Sequence, residues 1–122
     1  MNRFFNQTAL ITGGADGIGK AIAQRLGQEG ARLLLVDYNK AALDKTIEEL
    51  NRQNLVVHGV LADISDEDSV RLAVRTATDL YGKLDIVVNS AGVVGATSTK
   101  ITDFRLEEFE RVVRINLTGS FL

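Results

Sequence analysis

Glycines at positions 13, 17 and 19 form a turn whose residue types suit the binding of a phosphate group. The turn reads Thr12-Gly13-Gly14-Ala15-Asp16-Gly17-Ile18-Gly19 and follows the apolar residues 8–11. When a strand feeds such a turn and a helix follows it, backbone N–H groups and the positive end of the helix can approach a pyrophosphate without a Cβ in the way. Taken alone, the same spacing is equally compatible with glycines that only allow a helix to pack tightly on a strand.

An acid at the end of the second apolar run favours the phosphate interpretation. Asp37 lies 18 residues after Gly19, close to the ~20 expected for a carboxylate that accepts hydrogen bonds from a ribose diol. The alternative is an ordinary turn residue at the end of a strand. A carboxylate here, with Asp16 in the turn, would repel a 2′-phosphate, and position 38 is Tyr with no arginine near it in sequence. These residues predict a nicotinamide dinucleotide site that takes NAD in preference to NADP.

Three further polar positions each have two interpretations. Asp63 follows the third apolar run and is either a contact for the adenine amine or a turn residue before a helix. Asn89-Ser90-Ala91-Gly92 either lets a flat ligand approach the backbone or is a simple turn. Asn116 lies on the apolar stripe of the last predicted helix. We therefore expect a buried amide, satisfied either by nearby backbone or by a functional partner.

Two hydrophobic periodicities alternate along the chain and predict the elements that position these residues. Almost continuous apolar runs predict buried parallel strands at residues 8–12, 32–37, 55–60 and 84–89. Helical stripes separate them, with Asn39 and the acceptors at residues 65–68 as N-terminal caps and Gly82 as a left-handed end. The last helix is expected to begin near Thr102 or Asp103 after a loop from Ser90. The prediction is one α/β domain over residues 1–122, a Rossmann-type doubly wound sheet of about four strands, cut within its last helix.

Composition excludes several classes of function. The net charge is −2 and no basic block occurs, so a nucleic acid partner is not expected. The chain has no cysteine and no apolar run long enough to cross a bilayer, which predicts no thiol chemistry, no membrane partner and a cytoplasmic location. His58, the only histidine, stands in the third apolar run without a neighbouring ligand, so no metal site is expected.

Taken together, these motifs closely resemble the classical short-chain dehydrogenase/reductase family over nearly the whole chain. The resemblance rests on Thr12-Gly13-x-x-x-Gly17-x-Gly19, Asp37, Asp63-Ile64, Asn89-Ser90-Ala91-Gly92 and Asn116-Leu117-Thr118-Gly119. It implies an oxidoreductase that transfers a hydride between an alcohol or ketone and the nicotinamide, in a parent protein that is a dimer or tetramer. Ser90 replaces the commoner second asparagine of the family motif.

The resemblance also implies a role for each matching position. Asp37 would bind the adenosine ribose, and Asn116 would match the family's catalytic asparagine. The remaining cofactor-binding positions divide between the pyrophosphate (Gly13, Ala15, Asp16, Gly17, Ile18 and Gly19), the adenine (Asp63 and Ile64) and the centre of the dinucleotide (Asn89, Ala91 and Gly92).

The family's catalytic serine and Tyr-x-x-x-Lys pair have no counterpart in these residues. Neither Tyr38 nor Tyr81 has a lysine four positions on, so the chain alone is predicted to be inactive. The alternatives are a dinucleotide-binding fragment or interaction module without a reaction of its own, or an adenosylmethionine-dependent methyltransferase, against which the glycine spacing argues.

Overall fold

The computed structural model describes residues 2–92 and 105–119, which form a parallel sheet with helices on both faces. In chain order the elements are β1 (Thr8–Thr12), α1 (Gly17–Gln28), β2 (Arg32–Asp37), α2 (Lys40–Arg52), β3 (Val57–Leu61), α3 (Glu67–Tyr81), β4 (Ile86–Asn89) and α4 (Leu106–Val113), which continues as a π-helical segment (Arg114–Thr118). The strand order is β3-β2-β1-β4 with every pair parallel. The predicted doubly wound α/β class is confirmed.

Strand β2 lies at the centre of the core because its apolar side chains alternate between two covered faces. Leu33 and Leu35 pack with residues of α1 and α2, whereas Leu34 and Val36 pack with Ala73 and other residues of α3. These four apolar side chains of β2 are all buried. A continuous apolar run is what a strand covered on both sides requires, because successive side chains point to opposite faces.

The helices begin and end at residues suited to those positions. The Asn39 side chain accepts a hydrogen bond from Ala42 N at 3.0 Å, and the Asp66 side chain accepts one from Ser69 N at 3.3 Å. Gly82 ends α3 with φ of 80°, a left-handed conformation that glycine adopts without a Cβ clash. The predicted caps of α2 and α3 are thereby confirmed.

Two predicted strands are shorter or shifted. The third begins at Val57 instead of position 55, because Leu55 N donates to Leu50 O at the end of α2. The fourth begins at Ile86 instead of position 84. Just before it, Asp85 makes two bonds to Thr8 of β1: its N donates to Thr8 O, and its carboxylate accepts from Thr8 N at 2.8 Å.

The prediction that the apolar runs at 33–36, 55–57 and 86–88 mark strands covered on both faces holds for β2 and is wrong for β3 and β4 in the part of the chain that the structure describes. Within the described residues, β3 pairs only with β2 and β4 only with β1, so both are edge strands. Val57 is the one buried residue of β3, and Val87 of β4 is 54% exposed. None of the helices in the described ranges combines the length and apolarity that crossing a bilayer requires.

Candidate functional site

The glycine turn between β1 and α1 packs against the loop that follows β4. Gly13 has φ of +64°, and a Cβ built on it would lie 2.8 Å from both Cα and N of Ala91. A Cβ on Gly19 would lie 2.2 Å from Gly13 O. Thr12 also binds the loop after β4, because its Oγ1 accepts hydrogen bonds from Ser90 N at 3.1 Å and Ala91 N at 3.2 Å. These glycines are therefore required for packing, whatever else the turn does.

The first turn of α1 presents backbone N–H groups without a side-chain cap. Asp16 occupies the N-cap position in an extended conformation, but its side chain makes no capping hydrogen bond in the described structure. Gly17, which follows, has φ of +54° and no atom within 4 Å of an added Cβ, so its conformation and not crowding calls for glycine. An uncapped helix N-terminus carries partial positive charge and unpaired donors, the features that bind a phosphate.

A cavity of about 460 Å³ opens beside this turn and brings together most of the predicted cofactor-binding residues. It extends along the carboxyl ends of the strands, where open α/β sheets bind ligands. The predicted residues that line it are Gly13, Asp16, Gly17, Ile18, Asp37, Asp63, Ile64, Ala91 and Gly92.

Three predicted cofactor-binding residues are not among those that line this cavity in the described structure. Ala15 is buried, and its carbonyl accepts a hydrogen bond from Thr46 Oγ1 at 2.5 Å. Gly19 is buried beneath Gly13. Asn89 lines a second, smaller cavity of about 200 Å³ on the α3 face of the sheet. In this structure Ala15 and Gly19 are buried behind the cavity-lining residues of the glycine turn.

Asp37 is held in place by two backbone donors. Its Oδ2 accepts from Ala15 N at 3.2 Å, and its Oδ1 accepts from Asn39 N at 3.0 Å. A carboxylate has about four acceptor positions, so these bonds leave capacity for the two hydroxyls of a ribose. The carboxylate thus connects the glycine turn to the start of α2 and lines the cavity.

Asp63 forms a turn with Ser65 and also lines the cavity. Its Oδ1 accepts from Ser65 Oγ at 2.6 Å and from Ser65 N at 2.9 Å. These bonds, and the positive charge of Arg114, lower the pKa of the Asp63 carboxyl below its ordinary value. The two interpretations left open for Asp63 do not exclude each other, since the turn holds the carboxylate at the cavity wall.

Asn116 lies in the π-helical segment, and the expectation that it is buried is wrong. The residue is exposed, and so are Phe109 and Leu117 of the same apolar stripe, so this stripe is not packed within the described residues. Its amide nevertheless approaches the loop after β4: a Cβ built on Gly92 would lie 3.1 Å from Asn116 Oδ1. The side chain stands next to a residue that lines the cavity. The predicted start of the last helix, at Thr102 or Asp103, lies outside the described residues, and α4 begins at Leu106.

Several residues of the cavity were not identified from sequence. Tyr38 and Asn39 immediately follow Asp37 in the sequence, and this adjacency could have identified them as cavity residues. Ile115 and Arg111 come from α4 and the segment after it, and no short-range motif connects them to the first half of the chain. Arg111 matters for charge, because the sequence showed no arginine near position 37 and the fold brings this one to the same cavity. The other unpredicted lining residues are Val36, Ala42 and Ala62.

Comparison with known proteins identifies the family. A model of the family described as short chain dehydrogenase matches residues 7–122. An uncharacterized oxidoreductase from Thermotoga maritima is 39% identical over 95% of this chain, and the match covers 44% of that protein. The crystal structure of NAD+-bound xylitol dehydrogenase aligns with a TM-score of 0.93 and 33% identity, over 98% of this chain and 45% of the other.

A second solved structure that aligns with this chain contains NADPH instead of NAD+. An actinorhodin polyketide ketoreductase with NADPH aligns with a TM-score of 0.90 and 33% identity, over 94% of this chain and 43% of that one. The chain therefore spans about half the length of the relatives it matches. Its glycine turn, its sheet order and this family match agree, and the chain belongs to the short-chain dehydrogenase/reductase family.

Proposed function

We propose that this chain is the dinucleotide-binding half of an NAD-dependent oxidoreductase that transfers a hydride between a secondary alcohol or ketone and the nicotinamide ring. The observation that carries the proposal is the meeting of the uncapped N-terminus of α1, the glycine turn and the Asp37 carboxylate in one cavity. The residues fit the cofactor: a Cβ at Gly13 would collide with the adjoining loop, and Asp37 has free acceptor positions.

The role of each part follows from its chemistry. The N–H groups at the start of α1 hold the pyrophosphate, Asp37 accepts from the adenosine ribose, and Asp63 with Ile64 borders the adenine. The bound nicotinamide supplies the hydride acceptor or donor. Asn116, beside Gly92, is the proposed catalytic asparagine near the reacting end of the cofactor.

The charge at the ribose supports NAD in preference to NADP. A 2′-phosphate beside Asp37 would meet a negative charge at the position where NAD presents a hydroxyl. Among the described residues, Arg111 is the one cationic side chain that lines the cavity. It donates to both carboxylate oxygens of Glu108, at 2.7 and 3.2 Å. Its charge is therefore already compensated.

The chain alone is proposed to bind the cofactor without turning over an alcohol. In the family a tyrosine exchanges the proton with the substrate oxygen, and here the residues four positions after Tyr38 and Tyr81 are Ala42 and Asp85. The alternative, a dinucleotide-binding module with no reaction, is favoured by the same observation. NADH production from a panel of secondary alcohols distinguishes a competent chain from an inactive one, with a protein-free blank as control.

Calorimetric titration with NAD and NADP tests the proposal. The wild-type chain should bind NAD at least about tenfold more tightly than NADP. Asp37→Ser should weaken NAD binding and reduce the difference between the two affinities, since a charge-assisted hydrogen bond contributes about 1.5–3 kcal/mol. Asp44→Ser is the matched control, because Asp44 is an exposed acid of α2 that pairs with Lys40. No heat with either nucleotide, or an NADP preference in the wild type, would contradict the proposal.

A further inference from the structure

Thr46 of α2 is one of three polar side chains that are buried among the described residues, together with Thr8 and Glu29. A buried threonine inside a helix can satisfy its hydroxyl with the carbonyl one turn earlier, here that of Ala42. The single hydroxyl proton of Thr46 goes elsewhere: Oγ1 donates to the carbonyl of Ala15 at 2.5 Å, across 31 positions of the chain. The bond therefore joins α2 to the glycine turn.

The Ala15 carbonyl depends on this hydroxyl. Ala15 is buried, and no backbone N–H of the described residues donates to its carbonyl. A buried carbonyl that loses its partner is unfavourable, so its peptide group rotates towards water or another donor where the backbone allows it. The Thr46 hydroxyl thus determines the orientation of the peptide group between Ala15 and Asp16.

The orientation of this peptide group sets the direction of the donors at the start of α1. The peptide bond is trans, so its C=O and N–H groups point in opposite directions. Because Ala15 O points to Thr46, the N–H of Asp16 points away from the buried face of α2. Asp16 lines the cavity beside the glycine turn and is the N-cap of α1. Its position directs the N–H groups of Gly17 and Ile18, which follow it.

The other peptide group of Ala15 has a different partner. The Ala15 N–H, which belongs to the Gly14–Ala15 peptide group, donates to Asp37 Oδ2 at 3.2 Å. The Asp37 carboxylate is also held by Asn39 N at 3.0 Å, a bond that does not involve the glycine turn. Loss of the Thr46 hydroxyl should therefore disturb the start of α1 more than the carboxylate.

We infer that Thr46 is a positioning residue for the glycine turn: its hydroxyl orients the Ala15–Asp16 peptide group so that the N–H groups at the start of α1 face the pyrophosphate. This inference rests on the proposed function and adds a residue that does not itself line the cavity in the described structure. Donors preorganised in this way bind a phosphate without a cost of reorientation.

Calorimetric titration with NAD, well below the melting temperature, tests this inference with two variants. Thr46→Val keeps the shape of the side chain and removes the hydroxyl, so the Kd for NAD should rise about five- to tenfold. Thr46→Ser keeps the hydroxyl and removes a buried methyl group, so the Kd should stay within about twofold. Both variants should melt about 3–8 °C below the wild type. Affinity and stability are thereby separated.

NADP and a second buried threonine supply the controls. NAD and NADP share the pyrophosphate, so Thr46→Val should weaken both by similar factors, whereas Asp37→Ser should change their ratio. Thr8→Val is the matched control, because Thr8 is fully buried at the amino end of β1 and its Oγ1 has no hydrogen-bond partner in the described residues. It should keep the wild-type Kd and should not lower the Tm.

The possible outcomes distinguish this inference from the proposed function. No binding of NAD by the wild type would overturn both. Wild-type binding with the Kd of Thr46→Val unchanged would overturn the inference alone. Equal weakening in Thr46→Val and Thr46→Ser would assign the effect to packing, which also overturns it. If Thr46→Val does not melt cooperatively, Thr46→Ala, which also lacks the hydroxyl, is compared with Thr46→Ser by the same criteria.

Discussion

Replacement of Gly19 by alanine tests whether the glycine turn depends on close backbone contact. A Cβ at this position would lie 2.2 Å from Gly13 O, 2.9 Å from Gly13 C and 3.1 Å from Ser90 Oγ. Real Cβ contacts essentially never fall below 3.0 Å, so Gly13 O must move away by about 0.8 Å. The nearest atoms belong to the backbone of the turn itself, which cannot yield by a change of rotamer.

The cost follows from two opposing effects. Overpacking of this kind lowers the free energy of unfolding by about 1–3 kcal/mol. Alanine in place of glycine inside α1 raises it by about 0.5–1 kcal/mol, because alanine loses less backbone entropy on folding. We expect a net loss of about 1–2 kcal/mol in the free energy of unfolding, which lowers the Tm by roughly 3–10 °C for a domain of this size. Because the displaced carbonyl belongs to the glycine turn, the proposed site of the pyrophosphate, we also expect NAD binding to weaken by about tenfold.

The assay is thermal unfolding followed by circular dichroism, with calorimetric titration of NAD on the same samples. Gly82→Ala is the matched control: Gly82 has φ of +80° with no atom within 4 Å of an added Cβ, and it lies at the far end of α3. It should lose about 1 kcal/mol through backbone strain and keep its NAD affinity. A Gly19→Ala variant that melts within 1 °C of wild type and binds NAD normally would refute the reasoning.

Two further predictions concern stability. Glu29 is buried and accepts hydrogen bonds from Arg3 at 2.6 Å and Arg25 at 3.0 Å, which lower its pKa to about 2. A carboxylate with a depressed pKa stabilises the fold above its ordinary pKa of 4.5 and loses that effect as the pH falls towards 2. The Tm difference between wild type and Glu29→Gln should therefore be largest above pH 5 and shrink below pH 4; a difference constant from pH 7 to pH 3 would contradict this. Leu34→Ala empties a fully buried position of β2 and should cost about 2–5 kcal/mol in urea unfolding, whereas Leu72→Ala, on the exposed side of α3, should cost less than about 1 kcal/mol.

The central strands could be predicted to the residue, and the edge strands could not. The apolar run of β2 is buried on both faces, so its bounds coincide with the pattern. At β3 and β4 the predicted runs begin before the strands, in segments where Leu55 N donates to the end of α2 and Asp85 bonds to Thr8. Hydrophobicity alone does not distinguish a strand residue from an apolar residue that packs in a turn.

The candidate site was predictable where its residues are adjacent in sequence. The glycine turn and Asp37 follow from local spacing, because a strand end and a helix start place them directly. Arg111 and Ile115 reach the cavity from α4 and the segment after it, which sequence reasoning did not place beside Asp37. Asn116 is exposed together with Phe109 and Leu117 of its stripe, and an apolar pattern alone does not show which element, if any, covers that stripe.

The most direct measurement is a nitrogen–proton correlation spectrum of the labelled chain during titration with NAD. The account predicts that the backbone amides of Gly17 and Ile18, which line the cavity at the start of α1, shift most, and that the amide of Gly82 stays in place. Saturating NAD that leaves the amides of the glycine turn unmoved, or that shifts only residues far from it, would contradict the claim that this turn binds the cofactor.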